Sequence, residues 1–67
     1  LILWAAERVR SEFRESSWRA FWETEIAGRP ISDVAKELGV SVGSVYMSRS
    51  RIFARIRVII EEVLNEE

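Results

Sequence analysis

Between Leu38 and Ile60 the chain carries Arg49, Arg51, Arg55 and Arg57 and no acid at all. The residues that follow hold Glu61, Glu62, Glu66 and Glu67 and no base. Before Leu38 the charges are mixed, six basic and seven acidic. A formal net charge of −1 therefore hides one basic segment. Guanidinium groups seat phosphates and pair bidentately with guanine. Ser41 and Ser44 ahead of those arginines and Ser50 among them add hydroxyls able to donate to phosphate oxygens. A basic patch on one helix is the electrostatic footprint of a nucleic-acid surface, although the same four arginines can also simply solvate a helix face.

Other chemistries are closed off by composition. The 67 residues include no Cys and no His, so zinc fingers, disulfide frameworks and thiol or imidazole catalysis are not expected. Asp33 is the only aspartate, and no nucleophile stands beside a base in the sequence, so the chain does not read as an enzyme. No cofactor, metal or small-molecule substrate is expected. Nothing reaches the roughly 18 consecutive apolar residues that a membrane span needs. The opening Leu1-Ile2-Leu3-Trp4-Ala5-Ala6 is too short for the apolar region of a signal peptide. A cytoplasmic location with no membrane partner is the expectation. The chain lacks an initiator Met and reads as a piece of something longer.

These residues need helices to hold them. Ser16-Ser17 before Trp18 predict an N-cap, and Gly28 followed by Pro30 predicts that helix's end. Ser32-Asp33 predict the next start, with Ile31 as the apolar residue before the cap, and Leu38-Gly39 its close. Ser41 then caps a long helix running to about Leu64, with Val45, Ser48, Ile52, Ile56, Ile59 and Val63 as its inward stripe. Trp4, Val9 and Phe13 at loose helical spacing predict a further helix at the start. Trp18, Phe21, Trp22 and Ile26 read as a core stripe rather than a stacking platform for bases. Trp4 and the Leu1-Ile2-Leu3 start are expected to cover the long helix near Ile59, Ile60, Val63 and Leu64, while Val58 lies off its stripe. The fold expected is all-α: one bundle-like domain over residues 1–67 of four helices, ending in a long recognition helix.

Ala35, Gly39 and Val45 have the spacing of a helix-turn-helix. Two helices crossing at about 90–120° need a small residue at the crossing, which Ala35 supplies. The turn needs a left-handed position, which Gly39 adopts without steric cost. Val34, Leu38, Val40 and Val45 are expected to fill the wedge between the helices. A helical hairpin of purely structural use is the alternative.

The run from Gly28 to Val45 has Val34-Ala35-Lys36-Glu37-Leu38-Gly39-Val40-Ser41-Val42-Gly43-Ser44-Val45 at its centre. It continues through Ser50-Arg51 to Arg55-Ile56-Arg57, and it resembles the C-terminal domain of extracytoplasmic-function sigma factors. The likeness covers about residues 16 to 57. It implies recognition of the promoter −35 element, with promoter DNA and the RNA polymerase core as partners and an anti-sigma factor as a further one. The sequence departs from the family at Tyr46, where a basic residue is usual, at Met47-Ser48-Arg49, and in the aromatic second helix of Trp18, Phe21 and Trp22. The family's sequence preference does not carry over.

With Val45 taken as buried, helical geometry points Gly43, Met47, Ser50, Arg51 and Ala54 outward, flanked by Ser44 and Tyr46. The candidate DNA-binding residues are Ser41, Gly43, Ser44, Tyr46, Met47, Arg49, Ser50 and Arg51. Arg49 falls at the edge of the apolar stripe, where an ion pair to a glutamate of an earlier helix competes with a phosphate contact. Two rival functions stand beside the sigma-factor reading. One is the helix-turn-helix output domain of a response regulator, and the other a helical protein-interaction module using its apolar ends.

Overall fold

The computed structural model describes residues 1–66. Those residues form four α-helices in a bundle-like, all-helical arrangement: α1 (Ile2–Val9), α2 (Glu15–Phe21), α3 (Ile31–Leu38) and α4 (Val42–Leu64). A 3-10 turn over Arg10–Glu12 follows α1, and a π-helical turn over Trp22–Ile26 extends α2. No strand occurs among the described residues.

Apolar contacts fall into two clusters, and α2 and α4 contribute to both. Ala5, Ala6 and Val9 of α1 meet Trp18 and Phe21 of α2 and Ile52 and Ile56 of α4. The alanines let the α1 backbone come close, and that is why Trp4 on the neighbouring angle remains about half exposed. Leu1, Ile2, Leu3, Val63 and Leu64 are exposed too, so the expected cover of α4 is partial: Ile59 and Ile60 pack against the cluster of Ala5, Ala6 and Val9, and Trp4 lines a groove with Ile59 and Val63. The second cluster joins Ala20, Ala35 and Val45, one residue from each of α2, α3 and α4, with Ile31 and Leu38 packed against it. Ala35 sits at the helix crossing as its small size predicts.

The helix ends correct several expectations. Arg14, not Ser16 or Ser17, is the N-cap of α2, and Glu15 occupies the first turn, where its charge complements the helix dipole. The earlier start turns Trp18 into the core. Similarly, α3 begins at Ile31 directly after Pro30, whose fixed φ of −60° and extended ψ of 139° set the entry. Ile31 is therefore the first residue of the helix, and Ser32 lies within it without capping. Past Phe21 the Ala27 N–H donates to the Trp22 carbonyl at 3.0 Å, five residues back. That wider turn rotates the register after Trp22, so Ile26 is exposed, away from the expected stripe, while Trp22 stays half-buried against the core.

Gly39 adopts φ 71° and closes α3 as expected. Its N–H bonds to the Lys36 carbonyl at 3.2 Å, and the Val40 N–H to the Ala35 carbonyl at 3.0 Å, the two bonds of a Schellman motif. The reversal swings Val40 out of the wedge and leaves it exposed. Ion pairs brace α3 from outside. Arg29 bridges Glu23 at 3.0 Å and Glu37 at 2.6 Å, and Arg19 reaches Glu37 at 3.3 Å.

Candidate nucleic-acid interface

A three-residue turn, Gly39 to Ser41, delivers the chain into α4. The Ser41 hydroxyl accepts the Ser44 N–H at 3.0 Å, satisfying one of the free donors of the first turn. Capping through Ser41 leaves the rest of that turn's outward face to other uses. Val45 is fully buried, which fixes the rotation of the helix about its axis. Gly43, Ser44, Tyr46, Met47, Ser50 and Arg51 are all exposed as a consequence, as the helical geometry predicts.

Gly43 is informative because the protein itself does not need it. A Cβ built there meets only the Ser41 Oγ, at 3.9 Å, an ordinary contact. Glycine in a helix costs about 0.5–1 kcal/mol relative to alanine. Its use on an open face keeps the backbone bare toward solvent. Tyr46 and Met47 are more than half exposed beside it, on a face that most helices would fill with Lys and Glu.

The four arginines of α4 divide. Arg49 is half-buried and ion-paired with Glu25, and its guanidinium carbon lies 5.5 Å from the Tyr46 ring centroid. The π-helical turn rotates Glu25 to that place, so the ion pair prevails over the phosphate contact expected of Arg49. Arg55 is also committed: its Nε and Nη2 donate to the two carboxylate oxygens of Glu12 at 2.7 and 3.1 Å. Those bonds hold the Glu12 carboxyl below the usual carboxylate range. Arg51 and Arg57 have no carboxylate partner among the described residues. Of the two, Arg51 belongs to the face that carries Met47 and Ser50.

Sequence spacing left one part of this surface unseen. A cleft of about 490 Å³ runs beside the first three turns of α4, and Arg14 and Ser17 from the start of α2 share its walls with Ser44, Met47, Ser48 and Arg51. Arg14 and Arg51 stand 37 positions apart in the chain. Only the packing of α2 on α4 through Trp18, Phe21 and Ile52 brings them to one groove. The chain matches no family model, no curated protein and no solved structure.

Proposed function

We propose that the chain is a DNA-binding domain of the sigma-factor type, which places the first three turns of α4 in the major groove of a promoter −35 element. The observation that carries this reading is the composition of that face. Gly43, Met47, Ser50 and Arg51 are exposed there, no carboxylate interrupts them, and Ser41 caps the turn that leads in. A major groove about 12 Å wide admits one helix, and small or flexible residues let its backbone approach the base edges. Arg51 is the residue proposed to touch a guanine or a phosphate, with Ser44 and Tyr46 at the flanks. Arg49 is assigned a positioning role beneath Tyr46.

One free arginine on this face supports only weak binding by the isolated domain. A salt slope of about 1–2 and a micromolar or poorer Kd are expected, with tight binding needing the RNA polymerase core. Titrating wild type and Arg51→Ala on a promoter-derived duplex and a scrambled one, at several salt concentrations, tests the reading. A phosphate contact predicts a slope flatter by about 0.9 on both duplexes. A base contact predicts a loss of about 1–3 kcal/mol on one duplex alone. No change in either quantity with the protein still folded would remove α4 from the DNA.

A second reading rests on the opposite end. Leu1, Ile2, Leu3 and Leu64 are each more than half exposed, and Trp4, Ile59 and Val63 line a groove between α1 and α4. Apolar surface of that kind suits a protein partner such as polymerase or an anti-sigma factor. The two readings are compatible, since they use different ends of α4.

A further inference from the structure

We propose that the cleft between the start of α2 and α4 seats a phosphodiester segment of duplex DNA, held between Arg14 and Arg51. The inference rests on the proposed docking of α4 in the major groove. It adds a second element, and residues far away in sequence, to the contact surface.

Charge selects this cleft for an anion. Arg14 and Arg51 both line it, and neither has a carboxylate partner among the described residues. Its one acid, Glu12, is engaged by two hydrogen bonds from Arg55 at 2.7 and 3.1 Å. That ion pair offsets the carboxylate charge that would otherwise repel a phosphate. The neighbouring clefts have the opposite character. One sets Glu7, Glu15 and Glu23 against Arg10 and Arg19, and another sets Glu62 and Glu66 against Arg8, so acids outnumber bases in both. Within the cleft itself the two arginines outnumber the single acid, which is already paired.

Hydrogen-bonding capacity points the same way. Ser17, Ser44 and Ser48 contribute hydroxyls to the cleft, and none of the three is bonded within the chain among the described residues. Ser17 is available because Arg14 takes the N-cap position of α2. Small donors beside two guanidinium groups are the set that most often contacts DNA phosphates.

Position distinguishes a duplex from a free anion. Met47 and Arg51 belong both to the cleft and to the exposed face of α4. A helix lying in a major groove has a sugar–phosphate strand along each side, so a strand flanking α4 enters the cleft as the helix docks. A free phosphate would gain no such second attachment.

The test measures binding of the 67-residue chain to a mixed-sequence 20-base-pair duplex from about 50 to 200 mM salt, with inorganic phosphate as competitor. Arg14→Gln is expected to weaken binding to all sequences alike and to flatten the salt slope by about 0.9, the value of one phosphate. Arg14→Lys should keep the slope, which separates charge from any effect on folding. Ser17→Ala should weaken binding by a few fold, and millimolar inorganic phosphate should compete poorly. An unchanged slope in Arg14→Gln, with wild type still binding duplex, overturns the cleft and leaves the docking of α4 standing. Full competition by millimolar phosphate makes this a free-anion site and likewise overturns the proposal. Failure of the wild type to bind any duplex at 50 mM salt overturns both.

Discussion

Glu25, presented by the π-helical turn that ends the second helix, forms an ion pair with Arg49 of the long helix, and each side chain is only 24% exposed. The pair ties an irregular turn to the helix that carries the proposed DNA face. Because Arg49 also lies under the Tyr46 ring, the same tie orients an exposed aromatic.

Glu25→Ala should destabilise the domain by about 1–3 kcal/mol, since it leaves a largely desolvated guanidinium without its partner. Urea denaturation checks the magnitude. A loss below about 0.5 kcal/mol, the ordinary worth of an exposed pair, would show that Arg49 finds water instead.

Ala35→Leu places a larger side chain where Ala20, Ala35 and Val45 of three helices meet. Overpacking of this kind costs about 1–3 kcal/mol. In a domain of this size each kcal/mol lowers Tm by about 4–8 °C, within reach of a thermal melt. An unchanged Tm would mean that the crossing has slack.

Gly43→Ala separates stability from function. The added methyl meets only Ser41 Oγ at 3.9 Å, so the variant should gain about 0.5–1 kcal/mol in folding stability. Duplex affinity should nevertheless fall, because the bare backbone at Gly43 is proposed to face the DNA. Equal or tighter binding by the more stable variant would place DNA elsewhere.

Acid sensitivity follows from Glu12 and Glu37. Hydrogen bonds from Arg55 hold the first carboxyl below its ordinary value, and those from Arg29 do the same for the second. A depressed carboxylate contributes stability above its unfolded pKa, and the contribution is lost as pH falls through the folded one. Stability should therefore stay level from about pH 8 to pH 5 and decline below about pH 4.5, with no histidine to titrate in between. Tm measured against pH checks this. Glu12→Gln combined with Glu37→Gln should flatten the acid limb, and an equally steep limb in that variant would assign it to other carboxylates.

The parts of this fold that local rules govern were legible in the sequence. The Ser41 cap, the left-handed Gly39, the small residue at Ala35 and the exposure of Gly43, Met47 and Arg51 each follow from a few adjacent residues. What local rules missed depends on register or on distant partners. Ser16 and Ser17 looked like caps, but Glu15 and the burial of Trp18 favoured an earlier start. The π-helical turn adds a residue to one repeat, so Ile26 left its stripe and Glu25 found Arg49. Arg14 gave no signal beside Arg51, because nothing short of the packed bundle makes them neighbours.

The long helix runs from Val42 to Leu64 with no proline and no glycine after Gly43. At about 1.5 Å per residue, Met47 and Leu64 are about 26 Å apart along its axis. It acts as a ruler with a fixed phase. Whatever meets the apolar end is held at one distance and one angle from the proposed DNA face at the other end. Inserting four residues after Arg57 would move Val63 and Leu64 about 6 Å further from Met47 and keep their angular relation within about 40°. Inserting two would turn Val63 and Leu64 by about 200°, away from Trp4 of the first helix, while shifting them only about 3 Å. The sequence between the two surfaces thus sets a gauge that tolerates whole turns and rejects half turns.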